Sequence, residues 1–185
     1  MSELVFFLEE PSAEAMLQGL LPRILPQNTT PRFIVFEGKQ DLEKQLVKKI
    51  RNYKVPDAQF IIMRDKDAGD CCQIKRNLVE KCIEAGKPDA LVRIACHELE
   101  SWYLGDLAAI ERGLEKSRLI HLQDKPVYAH PDDHPSPSRT LQKLVPEYQK
   151  VGCSRAIGPY LDPENTRSNS FKVFIEGIRK VCDLQ

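Results

Sequence analysis

The chain has no surplus of charge of either sign: Lys+Arg and Asp+Glu number 27 each. A basic field over the whole molecule, of the kind that attracts nucleic acid, is therefore excluded, and only a local basic groove stays open. No apolar run approaches the length that crosses a bilayer. The first residues lack a basic segment followed by a long apolar core, so no secretory leader is expected. None of the six cysteines (Cys71, Cys72, Cys82, Cys96, Cys153 and Cys182) stands in a CxxC pair, which argues against a structural zinc site. A cytoplasmic protein with reduced thiols and no membrane partner is the expectation. Internal repeats, low-complexity tracts and an interdomain linker are also missing. At 185 residues the chain fits one domain, large enough to bury a core.

Periodic elements fill the first part of the chain. Leu4 to Leu8 is a continuous apolar run and reads as a buried strand. Ser12 is placed to cap a helix carrying Ala15, Met16, Leu17, Leu20 and Leu21. Phe33 to Phe36 reads as a second strand. Asp41 to Tyr53 reads as a helix with Leu42, Leu46, Val47 and Ile50 on one face. Phe60 to Met63 reads as a third strand, followed by a helix over Cys72 to Ala85 that Gly86 ends. Leu91 to Cys96 reads as a fourth strand, with a helical segment through Trp102 and Leu107 after it. Uninterrupted apolar strands alternating with amphipathic helices predict an α/β fold. Its centre is a mostly parallel four-stranded sheet flanked by helices. Residues 1–115 form this core in a single domain, and 116–185 add a loop and a helical C-terminal extension. The polar, proline-bearing stretch from Lys116 to Ser138 reads as a long loop or small cap. Within it, His130-Pro131-Asp132-Asp133-His134 reads as a flexible loop rather than a metal site. Helices are expected over Thr140 to Tyr148 and Ser170 to Val181, the latter with Phe171, Phe174, Ile175 and Ile178 at helical spacing. Trp102 reads as a core residue.

Chemistry concentrates just past the third strand, in Arg64-Asp65-Lys66-Asp67-Ala68-Gly69-Asp70. In extended geometry Asp65 and Asp67 lean the same way and Lys66 the other. Two such carboxylates repel unless a cation lies between them, and a hard ion such as Mg²⁺ suits oxygen ligands. The other strands also end in acids: Glu9-Glu10, Glu37 and His97-Glu98-Leu99-Glu100. A parallel sheet gathers all of these ends along one edge, where ligands sit in α/β folds. Solvated loop acids are the plain alternative for any one of them. Asp70 reads first as a helix cap with a metal role as the other option. His97 reads as a hydrogen-bonded residue or a phosphate contact. Lys143, Lys150, Arg155, Arg167 and Lys172 give the last third local positive charge. They form either a solvated face or a nucleic-acid groove opposite the acidic edge.

A glutamate after the first strand with a DxD after the third resembles the Toprim domain of topoisomerases, bacterial primases and overcoming-lysogenization-defect nucleases. More closely, three stretches resemble the DUF4276 family: Arg64 to Cys71, Arg93 to Asp106, and Ser168-Asn169-Ser170-Phe171. That family is a Toprim-like group whose genes often lie beside ATPases of the ABC/SMC type. The resemblance implies a Rossmannoid Toprim-like fold with Mg²⁺ or Mn²⁺ at the strand ends. It implies Glu9 as general acid/base or metal ligand, Asp65 and Asp67 as the metal-holding pair, and Glu100 as a further ligand with Glu98 as its competitor. Glu10 stands where many Toprim proteins have glycine. Glu37-Gly38-Lys39-Gln40-Asp41 matches the glutamate motif's wording better than Glu9 does, but the order of strands favours Glu9. Gly38 and Lys39 would then supply a turn and a phosphate contact.

The function expected on this resemblance is a divalent-metal-dependent, nuclease-type phosphotransfer on DNA or RNA. The protein would be the effector partner of an ABC/SMC-type ATPase in bacterial anti-phage defence. Lys143, Lys150, Arg167 and Lys172 would contact the nucleic acid. The alternative is a non-catalytic Toprim-fold scaffold or regulatory subunit that binds an ATPase, and a homo-oligomer is an open option for either.

Overall fold

The computed structural model describes residues 2–182. The four apolar runs form strands β1 (Ser2–Leu8), β2 (Thr29–Val35), β3 (Gln59–Asp65) and β4 (Leu91–Ala95). They join in one sheet in the order β2-β1-β3-β4, with every neighbouring pair parallel. Leu8 and Val35 end β1 and β2 level with Met63, and Asp65 and Ala95 end β3 and β4 level with each other two residues further on.

Strand alternation divides the core in two. On one face Val5, Phe7, Phe60, Ile62, Val92 and Ile94 meet two helices, α2 (Lys39–Asn52) and α3 (Cys71–Glu84). Those helices supply Leu42, Leu46 and Ile50, and Leu78 and Cys82. On the other face Leu4, Phe6, Leu8, Ile61 and Met63 meet α1 (Pro11–Leu20) through Met16, Leu17 and Leu20. Because both faces are covered, β1 and β3 need apolar side chains at nearly every position. That is why they read as unbroken runs. Each such side chain, once buried, contributes about 1.5–3 kcal/mol.

Among the described residues, the last third packs onto the α1 face through six helices. They are α4 (Glu100–Leu104), α5 (Leu107–Gly113), α6 (Pro126–Ala129), α7 (Pro137–Leu144), α8 (Lys150–Ile157) and α9 (Asn169–Val181). Trp102 of α4 is buried against Phe171 and Phe174 of α9, with ring centroids 5.2 and 4.9 Å away. Its indole N–H donates to Ser170 Oγ at 2.8 Å. Among the described residues no helix is long and apolar enough to cross a membrane.

Three local expectations are corrected, and one helix was unforeseen. Ser12 does not cap α1. The helix starts two residues earlier than a Ser12 cap would give, with Glu10 at the cap position and Pro11 in its first turn, and the Ser12 hydroxyl donates instead to Glu10 Oε1 at 2.9 Å. Of the two readings of Lys116 to Ser138, one long loop does not hold, which leaves the small cap. Short helical turns at Ile120–Leu122 and Pro131–Asp133 flank α6. The His130 to His134 segment is tied down rather than loose. Asp132 accepts from Ser168 Oγ at 2.7 Å and from the Ser170 N–H at 2.6 Å. Its carboxylate thereby satisfies a free N–H at the start of α9. Helix α8 was not anticipated. It is short and carries Gly152, and it holds its place by lying close to α1. A Cβ at the following Gly158 would sit 2.3 Å from the Met16 carbonyl oxygen.

Candidate functional site

From β1 the chain crosses to β2 on one side, and from β3 it crosses to β4 on the other. The carboxyl ends of β1 and β3 therefore flank the topological switch point, where α/β sheets open a crevice for ligands. Glu9 and Glu10 leave β1 there, and Asp65 ends β3. Glu9 Oε2 accepts the backbone N–H of Asp65 at 3.2 Å, and the Glu9 carbonyl accepts from the Gly38 N–H at 3.0 Å. Glu37, the rival glutamate, is exposed, and its N–H donates to Asp41 Oδ2.

The pleat then sorts the acids into two groups. Val5 and Phe7 of β1, like Phe60 and Ile62 of β3, face α2 and α3, and the same alternation sends Glu9 and Arg64 that way. Arg64 is 8 % exposed. Its guanidinium pairs with Glu43 of α2, and its Nε lies 3.8 Å from Glu9 Oε2 without a hydrogen bond. Lys39 Nζ, also from α2, lies 2.7 Å from Asp67 Oδ2. Burial raises the Glu9 carboxyl above its ordinary pKa. The Asp65 N–H and Arg64 work against that rise, while Asp67 and Glu10 add to it.

The second group faces α1 and the C-terminal helices. Asp65 belongs here with Glu10 and Glu100. Burial pushes the Asp65 carboxyl well above the carboxylate range; the charges of Glu100, Glu10 and Glu9 push further, against a hydrogen bond from the Leu99 backbone. Glu100 is 1 % exposed, and burial raises it too, against the pull of Lys150 and of the Tyr148 hydroxyl. That hydroxyl donates to Glu100 Oε1 at 2.9 Å, whereas Glu100 Oε2 is buried with no partner. Behind it, the Tyr103 hydroxyl donates to Ser154 Oγ at 2.7 Å. Lys150 Nζ reaches the Glu10 carboxylate at 3.1 and 3.3 Å. Burial alone would lower the Lys150 ammonium, but Glu100, Glu10 and Asp65 outweigh it and bring it to about 12.

Asp65 and Asp67 thus do not lean the same way, which corrects the extended reading of this pair. Regular β geometry stops at Asp65. Asp67 adopts φ +52°, a left-handed conformation that a short polar side chain tolerates. Its N–H donates to the His97 carbonyl at 2.7 Å, and His97 is left-handed as well at φ +60°. Asp67, Ala68, His97, Glu98 and Pro135 line a cavity of about 360 Å³ beside the crevice.

The remaining candidates are placed as follows. Glu98 binds the start of α7, accepting from the Ser138 N–H at 2.8 Å and from its hydroxyl at 3.0 Å. Of the pair Glu98 and Glu100, it is Glu100 that acts on Asp65. Asp70 caps α3, accepting the Gln73 N–H at 2.6 Å. Lys150 lies on the acidic edge itself, not on a groove opposite it. Lys172 lies 3.8 Å from Glu176 on α9, and Arg167 lies 4.0 Å from Asp124. Lys143 is exposed on α7. The sequence did not mark Arg64, Tyr103 or Tyr148 as parts of the site, and it offered Glu10 only as one of the acids at the strand ends. For Glu10 a signal was present: it shares Leu8's side of β1, as Asp65 shares Met63's side of β3.

Among the described residues, no three His, Cys, Asp or Glu side chains form a ready metal-holding group. The donors at the crevice are nonetheless all carboxylate oxygens, one of them the partnerless Oε2 of Glu100. That chemistry fits Mg²⁺, which commonly takes one or two carboxylates and keeps several waters.

Comparisons with curated proteins and with solved structures give no match. A family model described as "Domain of unknown function (DUF4276)" matches residues 8–179, nearly the whole chain, and the protein belongs to that family.

Proposed function

We propose that the protein is a divalent-metal-dependent, nuclease-type phosphotransferase of Toprim-like build, acting on DNA or RNA. The observation that carries the reading is the placement of Asp65 and Glu100. These mutually repelling, desolvated carboxylates sit at the switch-point crevice, with Glu9 bonded to the backbone of Asp65. Burying like charges is costly, and a fold retains such a pair where a cation or a proton has work there. Asp65 and Glu100 would hold Mg²⁺ or Mn²⁺, which neutralises charge building on phosphate oxygens. Glu9, its pKa raised by burial, accepts a proton from the attacking water. Lys39 stands at the mouth and offers its ammonium to a phosphate in place of Asp67. An ABC/SMC-type ATPase as partner, in an anti-phage setting, rests on the family resemblance alone.

The test is cleavage of single- and double-stranded DNA and of RNA with Mn²⁺, with and without an ABC/SMC-type ATPase. Cleavage is expected, and Asp65→Ala should reduce it at least about 100-fold, the scale of losing one well-placed catalytic group. Cleavage that survives Asp65→Ala and Glu9→Gln together contradicts the mechanism.

A second reading has its own support. Lys150 on Glu10 and Lys39 on Asp67 already offset part of the acidic charge with internal cations. This favours a non-catalytic subunit that uses the fold as a scaffold for an ATPase. Tight ATPase binding without metal binding would establish it.

A further inference from the structure

Two cysteines line one cavity beside the edge strand β4. Val92 and Ile94 of that strand face α3, and alternation sends Cys96, next after the strand, to the same side. Cys71 is the first residue of α3 and packs against the same core. The backbone holds these two connections side by side: the Lys66 N–H donates to the Ala95 carbonyl at 2.9 Å and the Asp67 N–H to the His97 carbonyl at 2.7 Å. Cys71 and Cys96 line one cavity of about 150 Å³, together with Lys75, Arg93, Ser170 and Val173. Both are half-buried thiols, so a small polar oxidant can reach them while bulk solvent is limited. Cys72, the next residue, is exposed and lines a separate cavity on the outer side of α3.

We infer that Cys71 and Cys96 form a modification site, a thiol pair that hydrogen peroxide converts to an intramolecular disulfide. The Cys71 thiolate attacks a peroxide oxygen, the O–O bond breaks, and hydroxide leaves to become water, giving a sulfenic acid. The Cys96 thiolate attacks that sulfur, the S–S bond forms, the S–O bond breaks, and a second water leaves. The two thiols lose two electrons and two protons, and the peroxide is reduced to two waters. Cys71 is assigned as the starting thiol because Lys66 and Lys75 both favour its thiolate, against burial and the neighbouring Cys72 and Asp70. Burial raises both thiols, with Asp132 and then Cys71 adding to the rise at Cys96 and Cys72 adding to it at Cys71, so oxidation needs sustained peroxide and quickens as pH rises. The bond would tie the β3–α3 connection, which carries Asp67, to the β4–α4 connection, which carries His97.

The test uses the folded full-length chain. It is treated with hydrogen peroxide, alkylated, digested and mapped by mass spectrometry. The expected product is a Cys71–Cys96 cross-linked peptide, two hydrogens lighter than the reduced pair. It should be reversed by dithiothreitol, kept in Cys72→Ser and absent in Cys96→Ser. The inference is overturned if Cys71 advances to sulfinic acid without a cross-link, if it pairs with Cys72, or if the only bonds formed join separate chains. The mapping of the unaltered protein decides the matter whether or not the variants fold.

Discussion

Asp65 is held where ionisation is costly, and this has a consequence for stability. Its pKa in the folded protein lies above its unfolded value. At pH below the unfolded value both states carry the proton and nothing is lost. As pH rises toward the folded value the unfolded chain sheds its proton first, and folding loses free energy until the buried carboxyl also ionises. Asp65→Asn removes that loss. In the presence of a chelator the variant should melt above the parent at pH 8 and close to it at pH 4, as differential scanning calorimetry can measure. A variant less stable than the parent at pH 8 would show that the carboxylate is satisfied as it stands. Tyr148→Phe is the complementary change. It strips Glu100 Oε1 of its hydroxyl donor beside an oxygen that already lacks one. The expected cost is about 1–3 kcal/mol in urea unfolding, the scale of stranding a buried acceptor. At this scale the sequence was half legible. That acids end every strand follows from reading the apolar runs. Which acid faces which was hidden, because it turns on where the pleat stops, and the chain leaves β geometry at Asp65 instead of carrying it through Asp67.

Among the elements, the strands were the most legible because burial on both faces demands unbroken apolar residues. Helices α2, α3 and α9 followed from their apolar stripes. Helix α8 was not, since its eight residues and Gly152 give little periodic signal and its position is set by close approach to α1. Two glycines separate these effects. At Gly158 a Cβ would strike the Met16 backbone oxygen, so Gly158→Ala should destabilise by about 1–3 kcal/mol. A Cβ added at Gly152 would meet nothing within 4 Å outside its own helix, so Gly152→Ala should stabilise α8 by up to about 1 kcal/mol. Equal effects at both sites would contradict the packing described. At the start of α3, Asp70→Ala should cost about 1 kcal/mol through loss of the cap on Gln73, with no change in metal binding. Metal affinity lost with Asp70 would instead make it a ligand.

Across the whole molecule one sheet serves two cores, and the C-terminal helices complete the site as well as the fold. Glu100 and Lys150 belong to α4 and α8, yet Glu100 acts on Asp65 at the end of β3, and Asp65 in turn acts on Lys150. The resemblance in three separate stretches is accounted for in the same way. Arg64 to Cys71 carries the central acid and the α3 cap. Arg93 to Asp106 carries Glu100 and Trp102, and Ser168 to Phe171 anchors α9 to Trp102 through Ser170. The central claim is that these carboxylates form a divalent-cation site. Titration calorimetry of Mn²⁺ into the full-length protein, and into Asp65→Ala and Glu100→Gln, tests it most directly. Saturable binding by the parent that both substitutions abolish is the expected result. No binding by the parent, or binding unchanged in both variants, would contradict it.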